Sequence, residues 1–274
     1  MMYRANAVSW TSACIDWMTR SSRPVVLHVF EHACNLINEH RDVLSLVTKQ
    51  IGNGPFNLVI EDDINFVKYC KIDSPILMED KVLRVGNIII HMPGVGFWTA
   101  RPDWERARTK QAAILSQIAQ LPITIDQPSI PSSLLSDFSS SVASADLPSI
   151  VAAAKKLAGL GQGLTPSGDD FILGALYATW IIHPPKIART LATEVSNVAA
   201  PLTTSLSASW LRSAARGEAG ILWHTFFNAL LSADPIQIHK SITSILSVGA
   251  TSGADALSGF MGSLSYDGVD VQHG

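Results

Sequence analysis

The sequence has only three cysteines, Cys14, Cys34 and Cys70, widely spaced and without a Cys-x-x-Cys pair. That spacing argues against a structural zinc site and against a disulfide framework. Charge is also scarce: Lys, Arg, Asp and Glu make up 16% of the 274 residues, the net charge is -3, and no dense basic cluster occurs. Nucleic acid and anionic membrane surfaces are therefore not expected partners. No apolar run is long enough to span a bilayer. The longest, Phe171 to Ile182, is closed by His183-Pro184-Pro185 and reads as a buried helix. The first residues, MMYRANAVSWTSACIDW, hold no continuous apolar segment. A secretory signal is not expected, and the chain reads as a soluble cytoplasmic protein.

What is present is a core. Hydrophobic residues make up 47% of the chain, enough for one large domain or two smaller ones. The expected fold class is α+β, a β-rich N-terminal domain followed by an all-helical bundle. PVVLHVF (24–30), VLSLVT (43–48) and FNLVIED (56–62) are strand-like, the last two joined through IGNGP as a hairpin. KVLRVGNIIIHMPG reads as a strand pair with a tight turn at Gly86-Asn87. EHACNLINEH has helical spacing at Ala33, Leu36 and Ile37. Asp103 can cap a helix that Pro122 ends. The predicted domains are 1–120 (β-rich), 121–148 (a Ser/Pro-rich connector with at most short helical pieces) and 149–274 (helical). Predicted helices cover 149–158, 167–182, 186–199, 202–216, 219–232, 235–247 and 252–264, with FILGALYATWII at the centre of the bundle.

One stretch stands out, GLGQGLTPSGDDFILG (159–174). Ser167 and Asp170 fit a capping box at a helix start. A cap needs neither the three glycines at 159, 161 and 163 nor a second acid. Glycines ahead of a helix N-terminus let backbone N–H groups approach an anion. The Gly-Lys-Ser/Thr ending of a P-loop is missing, and two carboxylates share a site with phosphate only if a cation such as Mg²⁺ lies between them or they point elsewhere. The pattern recurs: SGDDFILG (167–174) aligns with SGADALSG (252–259), matching Ser, Gly, the second Asp and the last Gly in register. Helical spacing places Ser167, Asp170 and Gly174 on one face, and Ser252, Asp255 and Gly259 likewise. Glycine inside a helix costs about 1 kcal/mol relative to alanine, so the matched pair predicts two helices in close approach with their N-termini together. Asp169 has no counterpart in the echo. The competing reading is architecture alone, caps and packing.

A third segment, TTSLSASWLRSAARGE (203–218), puts Ser205, Ser209, Arg212 and Arg216 on one helical face. Such a face suits a carboxylate or phosphate, or is simply solvated and salt-bridged. Other signals carry less. His28-Val29-Phe30-Glu31-His32 matches the H-x-x-E-H string, but that chemistry needs both histidines on one helix, and His28 lies in a β-branched run. No G-x-S-x-G or S-x-x-K accompanies Ser167 as a nucleophile. His91 and His224 read as semi-buried structural histidines, and GNGPFN as a turn.

Together GLGQGLTPSGDD, TTSLSASWLRSAARGE and SVGATSGADALSGF resemble the AllH family, with VFEHACNLI and GPFNLVI extending the likeness more weakly into the first half. One departure is Ala250, where members of that family often carry His before Thr-Ser-Gly-Ala-Asp. The resemblance implies a subunit of an oxamate carbamoyltransferase in purine and allantoin breakdown, exchanging oxalurate and phosphate for oxamate and carbamoyl phosphate beside FdrA-like and further subunits. The residues expected to bind a small anion are Gly161, Gly163, Thr165, Ser167, Thr251, Ser252, Ser209 and Arg212. Asp169, Asp170 and Asp255 are the expected catalytic acids, the first two also positioning Mg²⁺ or a transferring amine. No cofactor other than Mg²⁺ is expected, and a second copy of the chain stays open as a partner. Two alternatives remain: a non-catalytic assembly subunit, or a stand-alone Mg²⁺-dependent phosphoryl-transfer enzyme.

Overall fold

The structure is a computed structural model that describes residues 2–121, 125 and 128–264. It divides between Ala100 and Arg101 into two compact units, an α+β arrangement of a sheet unit followed by a helical unit.

The first unit is one nine-stranded, nearly closed, barrel-like sheet. Its strands are β1 (Tyr3–Trp10), β2 (Val25–Val29), β3 (Ala33–Ile37), β4 (Val43–Thr48), β5 (Asn57–Ile60), β6 (Ile76–Glu79), β7 (Val82–Val85), β8 (Ile88–His91) and β9 (Gly96–Phe97). Their order is β2-β3-β4-β5-β1-β8-β7-β6, with β9 also on β1. A short helix, α1 (Ser12–Arg20), follows β1 and is capped by Thr11, whose hydroxyl accepts from the Cys14 amide. All three cysteines are buried free thiols, with Cys34 and Cys70 Sγ atoms 3.7 Å apart.

Two local expectations for this unit are corrected. EHACNLINEH forms β3, not a helix. Cys34, Asn35 and Leu36 are buried between β2 and β4, and three apolar positions within five residues do not define a helical period. VLSLVT and FNLVIED are neighbours but run parallel, Ser45 opposite Asn57 and Thr48 opposite Ile60, so IGNGP is a return loop and not a hairpin turn. The Asn57 side chain holds that loop by donating to the Gly52 carbonyl at 2.9 Å. The β7–β8 hairpin is as expected, turning at Gly86 with φ +54°. His28 lies in β2, and Glu31 and His32 lie in the turn after it, so the H-x-x-E-H string never shares a helix.

The second unit contains α2 (Trp104–Thr109), α3 (Gln111–Ala119), α4 (Ser132–Ser144), α5 (Leu147–Leu157), α6 (Ser167–Ile182), α7 (Pro185–Ala199), α8 (Ser205–Ala215), α9 (Ile221–Ser232), α10 (Pro235–Leu246) and α11 (Ser252–Leu264). Asp103 caps α2 by accepting from the Arg106 amide at 3.0 Å; Pro122 lies outside the described residues. Trp104, Ala107, Ile114 and Ile118 belong to the helical core, so the units part at residue 100 and not at 120. The supposed connector contains α4, a helix of 13 residues. Its apolar residues Leu135, Phe138 and Val142 are buried at spacings of three and four. Serines made this stretch look like a linker, yet Ser140, Ser141 and Ser144 of α4 return their hydroxyls to the helix carbonyls, as Ser141 does to Asp137 at 2.6 Å.

α6 is the centre: 14 of its 16 residues are buried, as a helix apolar nearly all round must be. Trp180 and Trp104 satisfy their indole N–H groups on the Ala214 and Gly217 carbonyls, at 2.8 and 2.7 Å. No described helix is long and apolar enough to cross a membrane. α11 crosses α6 with backbone against backbone. A methyl group on Gly174 would overlap the Ala256 carbonyl, and one on Gly259 would overlap the Phe171 carbonyl. Those two contacts are images of each other, since 171 aligns with 256 and 174 with 259 in the repeated motif. Reciprocal contacts of this kind are the mark of a two-fold relation. The repeat extends backwards: Gly168 abuts the Leu157 carbonyl at the end of α5, and Gly253 the Ile245 carbonyl at the end of α10.

Helix propensity alone predicts that alanine at 174 or 259 stabilises the protein by about 1 kcal/mol. Packing predicts the opposite sign, a loss of about 1–3 kcal/mol from overpacking. Thermal melts of Gly174→Ala and Gly259→Ala decide between them. A lowered midpoint, at about 2–4 °C per kcal/mol, supports the crossing, and a raised one rules it out.

Candidate functional site

The two repeated motifs meet. Thr165, in the loop before α6, lies with its hydroxyl 2.9 Å from that of Ser252, the first residue of α11. Asp170 and Asp255 sit one turn into their helices and are 5% and 2% exposed. Their Oδ2 atoms make no hydrogen bond within the protein. Paired N-termini leave backbone N–H groups and positive dipole ends in one place.

The capping-box expectation fails. Ser167 is half-buried and lies inside the first turn. The Pro166 carbonyl accepts from the Asp169 and Asp170 amides at 2.9 and 3.1 Å, and no side chain caps α6. The same happens at α11, where the Asp255 amide donates to the exposed Thr251 carbonyl at 2.8 Å. At both helices the residue ahead of the serine, Pro166 or Thr251, carries the first acceptor, so each helix starts one residue earlier than a serine cap would place it. Ser167, Ser252, Asp170 and Asp255 are thus not occupied as caps.

The acid without a counterpart in the repeat has a structural task. Asp169 is 1% exposed. Its Oδ1 accepts from the Gly159 amide at 2.9 Å, and its Oδ2 accepts from the Thr203 hydroxyl and from that of Ser207 at 2.8 Å. Burial pushes the Asp169 carboxyl above its ordinary range, and these three donors pull it part of the way back. Thr204 closes the same joint: it caps α8 by accepting from the Ser207 amide at 3.1 Å and donates to the Leu164 carbonyl at 2.6 Å. Asp169 and Thr204 together clamp the glycine loop onto the start of α8. Three donors thus engage both Asp169 oxygens, whereas Asp170 keeps one oxygen without a partner in the protein. Among the described residues no group of three or more His, Cys, Asp or Glu is placed to hold a metal ion.

The glycine loop follows suit. Gly159 gives its N–H to Asp169. Gly161, at φ +112°, brings the chain so near the Ser167 amide that a Cβ would lie 2.7 Å from it. Gly163 is exposed at φ +92°, with open space where a Cβ would stand. The Ser209–Arg212 face is not part of this cluster. At 100° per residue it lies opposite Ser207, the α8 residue that reaches Asp169. The Ser209 hydroxyl bonds back to the Ser205 carbonyl at 2.9 Å, and Arg216 pairs with Glu218 at 2.7 Å.

Asp170 is the acid of the two motifs whose chemistry is altered most. Burial, aided by the charges of Asp255 and Asp169, raises its pKa to about 8, while the Ser252 and Thr165 hydroxyls beside it act in the other direction. At neutral pH it is largely a neutral carboxylic acid, one O–H donor beside Asp255. Tyr177 lies two turns further along the same face of α6. It is fully buried, its hydroxyl makes no hydrogen bond within the protein, and burial, Glu218 and Asp170 hold it protonated. Thr203, Thr204, Ser207 and Tyr177 are the residues that sequence reasoning missed. The Thr-Thr-Ser run ahead of α8 is an N-cap signature that marks the joint; nothing marks Tyr177 within its apolar run.

The two aspartates should behave differently. Asp169→Asn places an N–H where three donors converge, and a loss of about 1–3 kcal/mol is expected for the broken acceptor. Asp170 binds its proton more tightly folded than unfolded, where its pKa is about 4. Its contribution is therefore fully present below about 4 and lost as pH rises through about 8. Asp170→Asn cannot ionise, so its melting temperature should gain on the native chain's as pH climbs from about 5 to 9. Parallel melting curves for the two proteins across that range would show that Asp170 is ionised throughout.

Comparison with known proteins bears on both units. The family described as oxamate carbamoyltransferase subunit AllH matches residues 157–264, the stretch that holds both motifs and α8. The AllH family N-terminal domain matches residues 6–95, almost the whole sheet unit. No solved structure matches the chain. With both matches in chain order and covering most of its length, the chain belongs to the AllH family.

Proposed function

We propose that the chain is a subunit of an oxamate carbamoyltransferase and binds a small anionic substrate where the N-termini of α6 and α11 meet. The reaction exchanges oxalurate and phosphate for oxamate and carbamoyl phosphate, all of them small anions. The observation that carries the reading is the Thr165–Ser252 contact of 2.9 Å, which brings two helix N-termini and two hydroxyls together. Helix N-termini are ready anion sites, and a carboxylate or phosphate there would accept from Ser252, Thr165 and the first amides of the helices. Asp170 as a neutral acid removes one of the two charges that would repel it. Other subunits, including an FdrA-like one, complete the enzyme in this reading.

The alternative, an assembly subunit whose motifs serve only as caps and packing, keeps the Gly174 and Gly259 packing but loses Ser167 as a cap. A Mg²⁺-dependent phosphoryl-transfer enzyme would draw on Asp169, whose oxygens hold the loop to α8.

Calorimetric titration of the full chain with oxamate, phosphate and carbamoyl phosphate tests the proposal. At least one should bind, and Thr165→Val and Ser252→Ala should each weaken it about tenfold, as expected for losing a hydrogen bond to a charged group. Absence of binding by all three, or unchanged affinity in both variants, would sink it.

A further inference from the structure

The α6–α11 seam keeps more hydrogen-bonding capacity than an anion can use. Asp170 Oδ2 and Asp255 Oδ2 make no hydrogen bond within the protein although both residues are more than nine-tenths buried. Leaving such a group unmatched costs about 1–3 kcal/mol, and native proteins leave few of them without a functional reason. An anion gives these oxygens nothing, since it brings only acceptors. Among the described residues no third His, Cys, Asp or Glu joins them as a metal site. What matches two carboxyl oxygens is a neutral group with two N–H bonds.

We propose that Asp170 and Asp255 form an amide-reading subsite, whose unpartnered carboxyl oxygens accept the two N–H bonds of a primary amide or carbamoyl group while the ligand's anionic end lies at Thr165 and Ser252. This rests on the anion-binding reading above and specifies its ligand: a small molecule carrying a –CO–NH₂ group next to, or one bond removed from, a carboxylate or phosphate. A protonated carboxylic acid is complementary to a primary amide. Its O–H donates to the amide oxygen, and its C=O accepts one amide N–H. Burial keeps Asp170 in that form at neutral pH. The unpartnered Asp255 Oδ2 then takes the second N–H, and both acids become satisfied. A carboxylate in place of the amide would set acceptor against acceptor beside Asp255. A site built around N–H donors rejects analogues that lack them far more strongly than a shape fit could.

Oxamate and oxalate provide the test, because they differ by –NH₂ against –O⁻ on the same two-carbon frame. Calorimetry on the full chain at about pH 7 should show oxamate binding at least about tenfold more tightly than oxalate. Asp255→Asn, which can donate to a carboxylate, should shrink that ratio, whereas Ser252→Ala should weaken both ligands alike and preserve it. Oxalate binding as tightly as oxamate to the native chain would overturn the amide subsite and leave the anion reading standing. So would a ratio unchanged in Asp255→Asn, with folding checked by its melting curve. Failure of oxamate, oxalate and phosphate alike to bind would overturn the anion reading itself.

Discussion

The second unit depends on a backbone contact between two helices. Gly174 and Gly259 let α6 and α11 cross where any side chain would collide with a carbonyl. Close-packed interiors have no slack to absorb such a collision, so this crossing sets where everything attached to the two helices lies. The first turns of α6 and α11 are carried toward each other, and Thr165 reaches Ser252 as a result. Behind the crossing, Tyr177, Trp223, Phe227 and Phe260 form one aromatic cluster, with ring centroids 4.8 to 6.0 Å apart among their contacting pairs. The helices that carry the candidate site are therefore anchored in the core of the helical unit. That suits a constellation whose geometry must be held closely.

Legibility followed repetition. Both crossing helices were placed to the residue, 167–182 and 252–264, because a motif that recurs in register with glycine at an unfavourable position announces a close contact. The central place of α6 was equally plain from its unbroken apolar run. The sheet unit was harder. Strand pairing is decided by partners far away in sequence, so the parallel β4–β5 register could not be seen in two runs joined by eight residues. α4 was obscured by serines, which resemble linker composition although apolar residues at 135, 138 and 142 keep helical spacing.

The meeting of the two motifs at Thr165 and Ser252 was legible, and the partners of their acids were not. Sequence reasoning singled out Asp169 because capping could not explain it, and packing explains it instead: its partners Thr203 and Ser207 lie more than thirty residues away. Conversely, Ser167 and Asp170 looked accounted for by a capping box, and the Pro166 carbonyl takes over that role. The same displacement at α11, where Thr251 carries the acceptor, shows that the residue before the serine takes the cap position in both motifs. Asp170, whose place a capping box alone could have explained, keeps an oxygen with no partner in the protein, as does Asp255.

The two-fold scaffold is not fully symmetric. By the register of the repeat, Thr165 corresponds to Ala250 and Pro166 to Thr251. One half of the pair thus supplies a hydroxyl that reaches across to the other helix, and the equivalent position on the second half has none. Asp169, with its clamp to α8, likewise has Ala254 as its counterpart. A symmetric crossing brings two helix N-termini together, and single substitutions then make the two halves of the site different. Oxamate and carbamoyl phosphate are themselves unsymmetrical, with an anion at one end and an amide at the other. A site for either needs one half that offers donors and another that offers acceptors. In the site proposed above, the Thr165 and Ser252 hydroxyls are the donors, and Asp255, one turn further along α11 than Ser252, is the acceptor with an unpartnered oxygen.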